Sequence, residues 1–242
     1  MASYKINFGQ IRQSDRLGTM LAALERGFAR FGIDFYLVGA VSRDLWITGI
    51  HKAKPRKTTG DIDFAICIND KGGYEALKEY LISQEGFHPY QENAFVLIYK
   101  DGMQVDLLPF GAIEDEDRRV TVQGSGFTSV HVDGFHEVYE NQLPEVEMGA
   151  HRFKFCTLAG IVLLKMIAWE DRPEVRADDI LDISDILRHY FYIHSEEIYE
   201  NHLDIFAAEG LEETPLTDLG PGYWVERSGP LYNAMTSCWR EY

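Results

Sequence analysis

Two aspartates, Asp61 and Asp63, stand in the apolar run DIDFAICI at residues 61–68. In a strand alternate side chains share a face, so these carboxylates project together about 7 Å apart while Ile62 and Phe64 point into a core. Holding two like charges at one place in a low dielectric is unfavourable. A divalent cation with hard oxygen ligands removes the repulsion. A third carboxylate, Asp106, interrupts a second apolar run, GMQVDLLPF. Three carboxylates from two strands are a set that can hold paired metal ions and bridge a phosphate between them.

A second constellation lies upstream in YLVGAVSRDL, residues 36–45. There a strand passes through Gly39 into a helix. Such a junction leaves unpaired backbone N–H groups and the positive end of a helix dipole facing outward, which suits phosphate oxygens. Gly39 and Ala40 let the backbone come close to an anion. Ser42 is expected to add a hydroxyl and Arg43 a charge-assisted bond. Lys165 sits in the apolar stretch LAGIVLLKMIAWEDR. An unpaired ammonium there is costly, so it should reach either a phosphate or the carboxylates of Asp179 and Asp182.

The elements that must position these residues follow from periodicity. Residues 14–31 have apolar positions at helical spacing, with Gly32 where a C-terminal cap belongs. The strand FYLV at 35–38 follows. Residues 40–48 suggest a short helix ending near Gly49, and the polar run to Gly60 suggests a loop. A helix is expected over 71–84, then strands over 94–99 and 103–108 joined across Asp101-Gly102. Residues 112–144 lack clear pattern, with short strands at 119–122 and 131–132. A hairpin over 148–155 leads to a long helix capped by Thr157 and stopped by Pro173, with further helices over 178–190 and 195–208. The expected architecture is α/β: a mixed sheet flanked by helices over 1–145, then a mainly helical part over 146–242. The aromatic tail from Gly220 adds no chemical signature.

Composition narrows the partners. The 242 residues are 45% hydrophobic and 26% charged, as expected of a chain that packs a core. The formal net charge of −16 opposes nonspecific binding to phosphate backbones. A local exception is the basic run HKAKPRK at 51–57, beside the acidic motif. No apolar run is long enough for a membrane span, and the start MASYKINFGQ lacks the features of a signal peptide, so a cytoplasmic location is expected. Cys67, Cys156 and Cys238 have neither disulfide nor zinc spacing and are expected to be free thiols. The eight histidines, among them His131, His136, His189 and His194, show no ligand spacing.

The strand, the glycine turn opening a helix, the Asp-x-Asp strand and the later Asp together resemble the minimal nucleotidyltransferase domain of the polymerase-beta superfamily. Gly39, Asp61, Asp63 and Asp106 occupy its motif positions. VGAVSRDL is also similar to the opening of CCA-adding enzymes, whose Arg-Asp pair Arg43 and Asp44 match. The block TLAGIVLLKMIAWEDRPEVRADDILDI resembles the helical region of AbiEii-type abortive-infection toxin nucleotidyltransferases through Lys165, Arg172, Asp179 and Asp182. Together the resemblance covers roughly residues 35–185. It implies an NTP substrate, ATP among the candidates, Mg2+ or Mn2+ held by Asp61, Asp63 and Asp106, and transfer of a nucleoside monophosphate to a hydroxyl. The acceptor stays open between RNA, a protein and a small molecule, and a role in a toxin–antitoxin pair is implied. Ala40 stands where the family turn has Gly or Ser, and Asp178 where it has Lys. Those departures leave a second reading, a nucleotide-binding or antitoxin-like regulatory module that does not turn over its ligand.

Overall fold

The structure is a computed structural model that describes residues 2–6, 15–54, 60–100 and 102–201. Ser14, residues 55–57 of the basic run, Asp101, the end of the helix expected over 195–208, the aromatic tail and Cys238 lie outside the described residues.

The chain opens with a short strand, Ser3–Ile6 (β1), followed by helix Asp15–Phe31 (α1). Leu17, Met20, Leu21, Leu24 and Phe28 form the buried face of α1, whereas Phe31 in its last turn is exposed. Gly32 ends it in a left-handed conformation, φ +63°, and the Ile33 N–H reaches back to Phe28 O at 2.9 Å. Strand Phe35–Val38 (β2) follows and turns at Gly39 into helix Gly39–Asp44 (α2). The helix ends close to Gly49 as expected, running to Ile50 with a widened, i to i+5 bonded turn from Leu45. Strand Ile62–Cys67 (β3) and helix Lys71–Gln84 (α3) come next, the helix capped by Asp70, which accepts from Gly73 N at 2.8 Å.

Three strands, Phe87–Pro89 (β4), Val96–Tyr99 (β5) and Gln104–Phe110 (β6), then form an antiparallel meander. A small hairpin of Arg119–Thr121 (β7) and Ser129–His131 (β8) stands apart from the main sheet and leads to helix Phe135–Glu140 (α4). Strands Glu145–Met148 (β9) and His151–Phe155 (β10) precede helices Leu158–Asp171 (α5), Ala177–Ile193 (α6) and Ser195–Asn201 (α7).

The main sheet has eight strands in the order β1-β9-β10-β2-β3-β6-β5-β4, mixed in direction. The sequence-drawn boundary at 145 falls inside β9. The hairpin expected to open the helical part instead joins the main sheet, with β10 parallel to β2 and β1 parallel to β9. Phe64 of β3 packs its ring 6.1 Å from Phe28 of α1, so one sheet face rests on α1 and α3. Tyr36, Phe110, Phe135 and Tyr139 cluster on the other face, under α4. That second face also carries the acidic residues. Among the described residues no helix is long and apolar enough to cross a membrane. Cys156 is a buried free thiol and Cys67 a half-buried one.

Candidate active site

Strands β3 and β6 run parallel with Asp63 directly beside Asp106, and the next strand, β2, places Val38 opposite Asp63. The pleat explains why two aspartates tolerate apolar strands: their neighbours Ile62, Phe64, Val105 and Leu107 are buried, while Asp63 and Asp106 point to the opposite face and are only half-buried. Asp61 precedes β3 and is exposed. All three line one cleft of about 490 Å3.

Gly39 is fitted to this pair. Its backbone is left-handed, φ +65°, and a Cβ there would collide with the Asp63 carboxylate, approaching its Cγ to 2.9 Å. Only glycine meets both requirements. The carboxylate therefore rests directly on the turn between β2 and α2.

Electrostatically the sheet wall is strained. Burial first, then the Asp106 and Asp61 carboxylates, push Asp63 up to about 7, against the pull of Lys165 and Arg176. Burial pushes Asp106 up to about 6, helped by Asp61 and opposed by the hydrogen bond that Gln104 Nε2 donates to Asp106 Oδ1 at 3.0 Å. Among the described residues no cation forms an ion pair with Asp61, Asp63 or Asp106.

The opposite wall comes from α5 and α6. Thr157 caps α5 by accepting from Gly160 N at 3.1 Å, and the helix then carries Lys165 into the cleft. Lys165 donates to Asp179 Oδ1 at 2.7 Å and to Asp182 Oδ2 at 2.9 Å, so it is both a cleft residue and an ion-pair partner. Arg176 stands 3.7 Å from Asp179. Asp182 also faces Arg43, 3.3 Å away.

That last contact corrects two expectations. Arg43 is fully buried, pairs with Asp44 at 2.9 Å and with Asp182, and does not line the cleft. A guanidinium so enclosed ties α2 to α6 and is not available to a phosphate. Ser42 is also fully buried, and its hydroxyl donates to Cys156 O at 2.9 Å. It anchors α2 to the end of β10. The turn residues that do reach the cleft are Gly39 and Ala40.

A third wall, missed in the sequence, is the segment 127–135. Phe127, His131 and Asp133 line the cleft with Phe135. His131 Nδ1 lies 3.3 Å from Asp133 and its Nε2 3.7 Å from Asp171 at the end of α5. These residues fall where neither helical nor strand periodicity is sustained, so spacing carried no signal. The glycines of QGSGF were the available clue to a turn built for close approach.

Among the described residues no group of three His, Cys, Asp or Glu side chains converges into a ready metal cage. The donor set fits Mg2+ or Mn2+ all the same: adjacent carboxylates with raised proton affinity and no protein cation suit a hard divalent ion. Magnesium is ordinarily held by one or two carboxylates, water and substrate phosphates and not by an all-protein cage.

No protein-family model matches the chain, and no curated protein matches it. Among solved structures it is similar to an antigenic nucleotidyltransferase-like protein from Paracoccidioides brasiliensis, at 14% identity and a TM-score of 0.44, over 92% of this chain and 93% of that one. It is similar to the antibiotic-resistance factor ANT(2'')-Ia at 12% identity and a TM-score of 0.44, over 95% of this chain and 100% of that one. A third likeness, to the Bradyrhizobium diazoefficiens CD-NTase CdnG solved in complex with GTP, has 12% identity and a TM-score of 0.31, over 94% of this chain and 96% of that one.

Proposed function

We propose that this chain is a metal-dependent nucleotidyltransferase that moves a nucleoside monophosphate from an NTP to an acceptor hydroxyl. The observation that carries the reading is the in-register pair Asp63 and Asp106, seated on Gly39 and facing Lys165 and Arg176 across one cleft. Anions are repelled by the first wall unless a cation intervenes, and the second wall offers Lys165 and Arg176, each shared with an aspartate, as cations for a phosphate to reach. A metal-bound triphosphate satisfies both.

Asp63 and Asp106, with Asp61 beside them, would hold the ion, and Mg2+ or Mn2+ bound there would neutralise the charge that builds on the phosphate oxygens. Lys165, already oriented by Asp179 and Asp182, presents its ammonium to the phosphates. The Gly39–Ala40 turn gives the triphosphate a close approach to backbone. Each carboxylate oxygen has two acceptor sites, so Asp106, which accepts from Gln104 at Oδ1, can share in holding the ion and also take the proton from the acceptor hydroxyl. The acceptor oxygen then bonds to the α-phosphorus in line as the bond to the bridging oxygen breaks, and pyrophosphate leaves. A net charge of −16 favours a small cationic molecule or a protein as acceptor over a bare nucleic-acid backbone.

The test is calorimetric titration of the four NTPs, with and without Mg2+, into wild type and Asp63→Asn. Metal-dependent binding that the variant loses supports the reading. Binding that ignores both metal and variant overturns it, and retained metal-dependent binding without pyrophosphate release favours the regulatory alternative.

A further inference from the structure

Phe127 is placed with unusual care for a residue of an irregular segment. Its N–H donates to Glu92 O and its carbonyl accepts from Ala94 N, both at 2.8 Å, which locks it as a one-residue bridge beside Asn93. Two glycines make that docking sterically feasible. Gly126 has φ +71° and presses against the Glu92 backbone, where a Cβ would collide, and a Cβ on Gly124 would meet Ala94. The fixed ring is backed by buried Phe95, ring centres 6.0 Å apart. It stays half-exposed and lines the cleft.

The guanidinium of Arg172 lies over this ring, 4.8 Å from its centre, and is held by Asp171 at 3.1 Å. A flat aromatic with a flat cation laid on it is a stacking surface for planar, π-rich rings. The cleft lining combines charged groups, Asp61, Asp63, Asp106 and Lys165, with apolar ones, Phe127, Val130, Phe135, Ile161 and Leu164. An NTP likewise combines an anionic triphosphate and a planar base.

We propose that Phe127 and Arg172 form the platform on which the base of the bound nucleotide stacks, so that purine NTPs bind more tightly than pyrimidine NTPs. This rests on the nucleotidyltransferase reading and specifies its substrate. Stacking is tolerant of base identity because every base has a π-face, and larger rings gain more. Asn93 is the neutral polar side chain beside the platform. Its Oδ1 already accepts from the Phe95 N–H at 3.0 Å, so its two amide N–H groups are the readier ones to offer. Donors alone meet an acceptor on each of the four bases, so ring size decides the preference.

The test compares Mg2+ complexes of ATP, CTP and inorganic tripolyphosphate, titrated into wild type, Phe127→Ala and Phe127→Tyr, with thermal melts to show that each variant folds. Expected is an ATP affinity above that of CTP in wild type, a loss of about 10- to 100-fold for ATP in Phe127→Ala, unchanged tripolyphosphate binding, and recovery in Phe127→Tyr. Equal affinity for ATP and tripolyphosphate in wild type overturns the platform, as does ATP binding unaffected by Phe127→Ala or an equal loss for both probes. Should Phe127→Ala fail to fold, Arg172→Met decides by the same criteria. Wild type that binds neither ATP nor tripolyphosphate brings down the parent reading itself, whereas the other outcomes leave that reading standing.

Discussion

The two charged walls of the cleft solve the same problem in opposite ways. On the helical wall, Lys165 sits between Asp179 and Asp182, Asp182 also meets Arg43, and Arg176 meets Asp179, so cations and anions neutralise one another within the fold. On the sheet wall, Asp63 and Asp106 lie side by side with Asp61 nearby, and their only response to one another is a higher affinity for protons. The first, charge-paired network holds helices in place. Under the proposed function the second is where a cation from outside the chain would bind.

Removing charge from each wall should therefore have opposite consequences. Asp63→Asn is expected to lower nucleotidyl transfer by about 10³-fold, because the metal and the charge it neutralises are lost together. The same variant should raise the thermal midpoint of the metal-free protein at neutral pH, since it relieves repulsion. A lower midpoint, read by differential scanning fluorimetry, would contradict the description of this wall as strained.

Gly39→Ala attacks the strained wall through its backbone. A left-handed alanine costs about 1–2 kcal/mol, and its Cβ displaces the Asp63 carboxylate. Metal-dependent NTP binding should fall by about 10-fold or more with a modest loss of stability. Equal NTP affinity in the variant would show that the carboxylate does not need its seat on the turn.

Asp182→Asn tests the charge-paired wall. It weakens the partner of both buried Arg43 and Lys165, and stability in urea should drop by about 1–3 kcal/mol. Here the loss of stability should exceed any loss of metal affinity, the reverse of Asp63→Asn. A variant as stable as wild type would mean that α6 is held by its apolar contacts alone.

The smallest effect is in pH. Protons and metal compete for Asp63 and Asp106, so Mg2+ affinity should weaken as pH falls through about 7 and then about 6. The folded state holds the Asp63 proton more tightly than the unfolded chain does, which stabilises it. That contribution is fully present below the ordinary carboxyl pKa of about 3.9 and is lost as pH rises through about 7. Melts of metal-free wild type between pH 5 and 8 should show this decline relative to Asp63→Asn, and parallel curves would remove the assignment.

Local chemistry was enough to settle much of the molecule from sequence. Helix α3 over 71–84 and strand β2 over 35–38 were legible to the residue, because apolar spacing and caps are properties of neighbours in the chain. Asp61, Asp63 and Asp106 were legible for the same reason, as charges breaking apolar strands. Tertiary structure decided what depends on residues far apart. It set Asp63 beside Asp106 across 43 positions of chain by strand register, and gave β10 to the main sheet instead of to a helical unit. It turned Ser42 and Arg43 inward, where Ser42 bonds Cys156 O and Arg43 pairs with Asp182. It also brought Phe127 and His131 to the cleft from a segment without periodicity. Periodicity tells which face of an element is buried, but a polar side chain's partner is chosen only when that face meets another, and here those partners lie more than a hundred residues away.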